Sequence, residues 1–185
     1  MPAMDTRQLL QLLNRQVEAT INRTVALQSI EADKLNTQPA AGKWSAAQII
    51  EHLNSYNRYY LPEMEKAMQK QLPFNAVFNP GWFGNYFTNM MLPKKDGKIA
   101  NKMNSPKDHR PPQQLDAVKV VGEFIKGQQQ LLSLLQKAGS TDIGKVCVPI
   151  SLSRLIKLKL GDTFRFLIAH QQRHFIQLEN VLDTI

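Results

Sequence analysis

Three histidines are the side chains in this sequence best suited to chemistry: His170 and His174, four residues apart near the C-terminus, and His52, far earlier in the chain. Four residues advance a helix by about 6 Å and turn it about 40° past one full turn, so two such imidazoles can grip one metal ion from adjacent turns. Steps of three and four from Leu167 pass through His170 and His174 and continue to Leu178, Val181 and Ile185. Both rings therefore lie on the stripe that should face a helical core. His52 flanks a second stripe, one turn from Ile49 and Tyr56, where rotation of its helix can aim it at the pair. Three imidazoles from two helices hold a first-row divalent ion and leave its remaining positions to water or substrate, as a catalytic site requires. The alternative is a non-catalytic bundle, metal-stabilised or ligand-binding, in which the histidines hold two helices together.

Other reactive types carry less. His109, in Asp108-His109-Arg110-Pro111, reads as an exposed loop residue. Glu51, Arg173 and Gln177 neighbour the histidines as supporting or solvated groups, and no residue is assigned a catalytic role. The single cysteine, Cys147, excludes an internal disulfide and any Cys-rich zinc module. Between Val146 and Val148 it reads as buried packing.

Helices must position these groups. Leu9, Leu13, Val17, Ile21, Thr24 and Leu27 trace one face of a first helix within Asp5 to Ile30, capped by Asp5 or Thr6. Ser45-Ala46-Ala47-Gln48 has the form of a capping box opening a second helix, stapled by Trp44, with a stripe of Ile49, Leu53, Tyr60, Met64 and Met68 and a kink expected at Pro62. Residues 72–112 hold too many prolines and glycines for one regular element, and a connection of that length tends to be functional or to contain its own helix. Trp82 to Met91 fits such a helix, lying as a lid on the bundle. A third long helix after Pro112 should bury Val118, Val121, Ile125, Leu132 and Leu135 and end at Gly139. Lys145 to Leu160 reads as irregular or extended, and Asp162 as the N-cap of the last helix. The expectation is an all-α, single-domain chain over 1–185: an antiparallel up-and-down four-helix bundle with a long insertion between helices two and three.

The chain carries 23 Lys and Arg against 15 Asp and Glu, a formal charge of +8. The excess gathers in Lys94, Lys95, Lys98, Lys102 and Lys107, and in Arg154, Lys157 and Lys159. With Trp82 and Tyr86 these could form a surface for nucleic acid or anionic lipid, but no recognised nucleic-acid motif accompanies them, so no nucleic-acid partner is expected. No apolar run approaches the ~18 residues of a membrane span, and Met1 to Leu13 lacks the pattern of a secretory signal. A soluble, cytoplasmic protein is expected.

The run Lys43-Trp44-Ser45-Ala46-Ala47-Gln48-Ile49-Ile50-Glu51-His52-Leu53, with Ala169-His170-Gln171-Gln172-Arg173-His174, resembles the DinB-like (DinB/YfiT) superfamily of metalloenzymes. A tryptophan and small polar residue opening the second helix, a histidine followed by leucine, and a His-x-x-x-His pair on the last helix fall here on Trp44 and Ser45, His52, and His170 with His174. The resemblance implies a divalent-metal four-helix bundle, usually dimeric. It implies Zn²⁺ or Ni²⁺ on His52, His170 and His174, a small-molecule substrate, and hydrolysis or transfer of a small thiol. The basic insertion departs from compact members, and could close over the metal and set the substrate class.

Overall fold

The computed structural model describes residues 2–70, 72–94, 99 and 104–185; Lys95, Lys98 and Lys102 of the basic insertion lie outside them. The helices are α1 (Thr6–Ala26), α2 (Ala32–Asn36), α3 (Ala46–Met68), α4 (Trp82–Met91), α5 (Ala117–Ala138) and α6 (Leu160–Leu182). Two antiparallel pairs of strands accompany them: β1 (Met4–Asp5) with β2 (Val77–Phe78), and β3 (Cys147–Ile150) with β4 (Ser153–Lys159). The all-α expectation is thus corrected. Most of the segment expected as irregular or extended is a β-hairpin over 147–159, as its Cys-Val-Pro-Ile and Leu-Ile-Lys-Leu runs allow.

Local signals hold where the chain itself satisfies them. Asp5 caps α1 by accepting from Gln8 N at 2.8 Å. At α3 both halves of the capping box form: Ser45 Oγ accepts from Gln48 N at 3.2 Å and Gln48 Oε1 accepts from Ser45 N at 3.0 Å. α3 runs on through Pro62 as one helix. The last helix departs from expectation. It begins at Leu160, and buried Asp162 lies inside its first turn, where its carboxylate accepts from Gly81 N at 2.7 Å and Arg165 Nη1 at 3.1 Å. The start of α4 has claimed this carboxylate, which pins the lid to α6. The two helices approach so closely that a Cβ at Gly84 would fall 2.3 Å from Asp162 Cγ.

α1, α3, α5 and α6 form the bundle, and their order differs from an up-and-down path. α5 packs against α1 and α3, and α6 against α3 and α1, so the sequential pairs α1/α3 and α5/α6 sit across the bundle. Cross-helix bonds give the directions. Asn54 Nδ2 donates to Val120 O, Arg58 pairs with Glu123, and Lys137 with Glu65, so α3 and α5 are neighbours running the same way. Arg23 pairs with Glu179, making α1 and α6 parallel. The antiparallel up-and-down expectation is corrected accordingly. Parallel neighbours explain the long connection, because the chain must return about 35 Å along the bundle between the end of α3 and the start of α5.

Two apolar clusters fill the interior. One joins the start of α1 to the ends of α3 and α5 and the start of α6; the other joins the opposite ends. On α5 the stripe is rotated from the expected one: Phe124, Leu131, Leu134 and Leu135 are buried, whereas Val118 is 70% exposed. α4 turns Gly84, Thr88 and Met91 inward and packs Phe87 against Phe166, and leaves Trp82, Phe83 and Tyr86 to solvent. Cys147 is exposed, since the first residue of β3 faces outward. No helix among the described residues is long and apolar enough to cross a membrane.

Candidate metal centre

The three histidines converge at the boundary of the two apolar clusters. α3 supplies His52 from its second turn, and antiparallel α6 supplies His170 and His174 from its middle. Their rings stand 5.1 Å (His52–His170), 4.6 Å (His52–His174) and 4.5 Å (His170–His174) apart, centroid to centroid. One nitrogen from each lies within 4.8 Å of the other two. His52 Nε2 and His170 Nε2 are 3.2 Å apart, close to the about 3.3 Å separating two nitrogens on a tetrahedral ion.

The outer nitrogens determine what the inner ones can do. His109 O can only accept, so His52 Nδ1 carries the proton of their 2.7 Å bond and Nε2 keeps its lone pair. His174 Nδ1 donates to Gln177 Oε1 at 2.9 Å, with the same result. His170 Nδ1 is buried without a hydrogen-bond partner. With Nδ1 of His52 and of His174 protonated, two lone pairs face inward beside His170 Nε2, so this donor set fits a divalent metal ion.

Burial keeps the rings neutral. It pushes the His52 imidazole down to about 4, against the raising effect of the His109 carbonyl. His174 is pushed to about 3, with the His52 ring adding to burial, and His170 falls well below its ordinary value through burial and the other two rings. Neutral imidazole is the form that ligates.

The sequence reading missed one participant. His109 is 7% exposed, contrary to its assignment as an exposed loop residue. Its ring stacks on Tyr56 at 3.9 Å and its carbonyl orients His52. Ser55 Oγ donates to His52 O, so its bond to His109 Nδ1 at 2.9 Å must be donated by the imidazole. His109 thereby fastens the returning connection to α3. Its flanking prolines gave no sign of this, because a loop histidine has no periodicity to read. Of the other neighbours, Gln177 supports His174, whereas Glu51 faces away and binds Arg58. Trp44 lies 5.0 Å from the His52 ring and 6.5 Å from that of His174, walling the centre as well as closing the helix start.

The sequence pattern of the DinB superfamily matches residues 8–178. The chain belongs to the DinB superfamily. Among solved structures, this DinB chain is similar to YfiT from Bacillus subtilis, described as a probable metal-dependent hydrolase with an unusual four-helix bundle topology. The TM-score is 0.55 at 14% identity, with 95% of this chain and 85% of that chain covered. No curated protein matches. At that identity the likeness speaks for the four-helix-bundle fold of this DinB member.

Proposed function

We propose that this protein is a divalent-metal-dependent enzyme, a hydrolase in the first instance, with His52, His170 and His174 as the metal ligands and Zn²⁺ or Ni²⁺ as the ion. The observation that carries the reading is the pair of outer-nitrogen bonds, from His52 to His109 O and from His174 to Gln177, which leave inward lone pairs beside His170. YfiT's description and membership of the superfamily support it. A divalent ion held there supplies Lewis acidity, lowering the pKa of a water or thiol that reaches it. The chain's own contribution is to keep three imidazoles neutral, hold two of them in the ligating tautomer and wall the site with Trp44 and Tyr56. A thiol nucleophile can use the same site, so small-thiol transfer is the second reaction to assay.

Elemental analysis of untagged protein, purified without chelator or nickel resin, tests the ligand set beside a His170→Ala, His174→Ala variant. The expected result is about one divalent ion per chain in the wild type and none in the variant. A wild type that holds no metal and takes up neither added Zn²⁺ nor Ni²⁺ would overturn it. The metal-loaded protein is then assayed against esters, amides and thiol acceptors. We further propose a cytoplasmic homodimer of single-domain chains; light scattering of the purified protein at two concentrations checks the stoichiometry.

A further inference from the structure

The histidines open onto a chamber of about 880 Å³, within the roughly 300–1,000 Å³ of small-molecule sites. Its lining is polarised along the bundle. Tyr60, two turns beyond His52 on α3, and Phe166, one turn before His170 on α6, continue the floor away from the metal centre. Phe87 and Met90 of α4 and Leu158 of β4 complete an apolar body. The charged residues lie at the other end. Lys43, Arg110 and Arg173 line the chamber, and each is the chain neighbour of a residue in the histidine cluster's surroundings: Trp44, His109 and His174. No Asp or Glu among the described residues lines it. Arg173 is 6% exposed, so its guanidinium acts in a medium where charge is poorly screened.

We infer that this chamber selects amphiphilic anions: small molecules whose negatively charged group sits at the histidine end among Arg173, Arg110 and Lys43, and whose apolar body extends along Tyr60, Phe87, Met90, Leu158 and Phe166. The assignment deepens the metalloenzyme reading, on which it rests for placing the reacting end of the ligand beside the histidines. Guanidinium groups favour carboxylate, phosphate and sulfonate through charge-assisted bonds. The apolar walls add to affinity by about fourfold for each fully buried methylene. A neutral or cationic head lacks the first contribution, and a short anion lacks the second.

Calorimetric titration of the metal-loaded protein with 1-decanesulfonate, decanol, decyltrimethylammonium and ethanesulfonate, each below its micelle concentration, tests this. Sulfonate is a poor metal ligand, so it reports the protein's cations. Decanesulfonate should bind at least about tenfold more tightly than the other three. Arg173→Met should weaken decanesulfonate by about tenfold and leave decanol unchanged. Decanol or the ammonium binding as tightly as decanesulfonate, or ethanesulfonate doing so, overturns the inference. The wild-type series decides even where Arg173→Met fails to fold. Metal content, measured on the same samples, separates the two ideas: protein that holds metal without the sulfonate preference sinks the substrate class alone. Protein that takes no metal yet shows the preference upholds the anion site and sinks the metalloenzyme reading.

Discussion

The α1–α5 side of the bundle and the α3–α6 seam differ in what they bury: apolar side chains on the first, imidazoles and amides beside a chamber on the second. Between α1 and α5, Leu9, Leu13 and Val17 meet a stripe of Leu131, Leu134 and Leu135; the buried Thr20 and Thr24 satisfy their hydroxyls on carbonyls of their own helix, while Thr6 Oγ1 and the Gln128 amide lack partners. The α3–α6 seam buries His52, Asn57, His170 and Gln171. There Asn57 Nδ2, His170 Nδ1 and Gln171 Oε1 lack partners, and a chamber opens beside His52 and His170. Each unsatisfied buried polar atom costs about 1–3 kcal/mol. One side therefore holds the bundle together by apolar packing, while the seam buries the imidazoles that open onto the chamber.

Truncation on the apolar side should have the largest effect. Leu134→Ala is expected to cost about 2–5 kcal/mol in urea unfolding, because a fully packed site cannot collapse around the cavity, while metal per folded chain stays the same. A cost under 1 kcal/mol would mean that this side is not the stabilising half. Metal comes next. At free ion about a hundred times Kd, binding should add about 2.7 kcal/mol, which chelation removes and which His52→Ala, His170→Ala and His174→Ala each abolish in thermal melts. Equal melting points with and without chelator would remove the contrast.

The pH response of chelated protein sharpens the comparison, since the seam's three histidines titrate in this range, joined by His109, which burial lowers as well. His52 and His174 are pushed down to about 4 and about 3 when folded, against 6.5 for the free side chain. The unfolded chain therefore takes up protons first, so stability is complete above about pH 6.5 and falls as pH drops toward 4. His170, lowered in the same direction, adds to the loss. Chelated His52→Leu, with no imidazole to protonate at that position, should show a shallower decline; an unchanged slope would show that burial of His52 is not its source. The smallest expected effect is local. Ser45→Ala breaks the buried capping box and should cost about 1 kcal/mol in urea unfolding, with metal content retained. Loss of metal in that variant would show that the start of α3 positions His52 as well as stabilising the helix.

What the residues determined alone was everything settled within a turn or two of chain. The capping box at Ser45, the cap at Asp5, the α4 helix at Trp82–Met91 and the inward stripe bearing His170 and His174 all rest on contacts a few residues apart, and each was legible. His52 was legible only as a candidate, since aiming it at the pair needed a partner helix. Tertiary structure decided the rest. Periodicity states that a helix has a core face but not which helix meets it, so parallel α3 and α5 escaped the sequence reading. Asp162 read as a local cap until the start of α4 took its carboxylate, and Cys147 as core until a strand turned it outward. His109 joined the histidine cluster through a backbone carbonyl, a group every residue carries and whose direction depends only on where the fold places it.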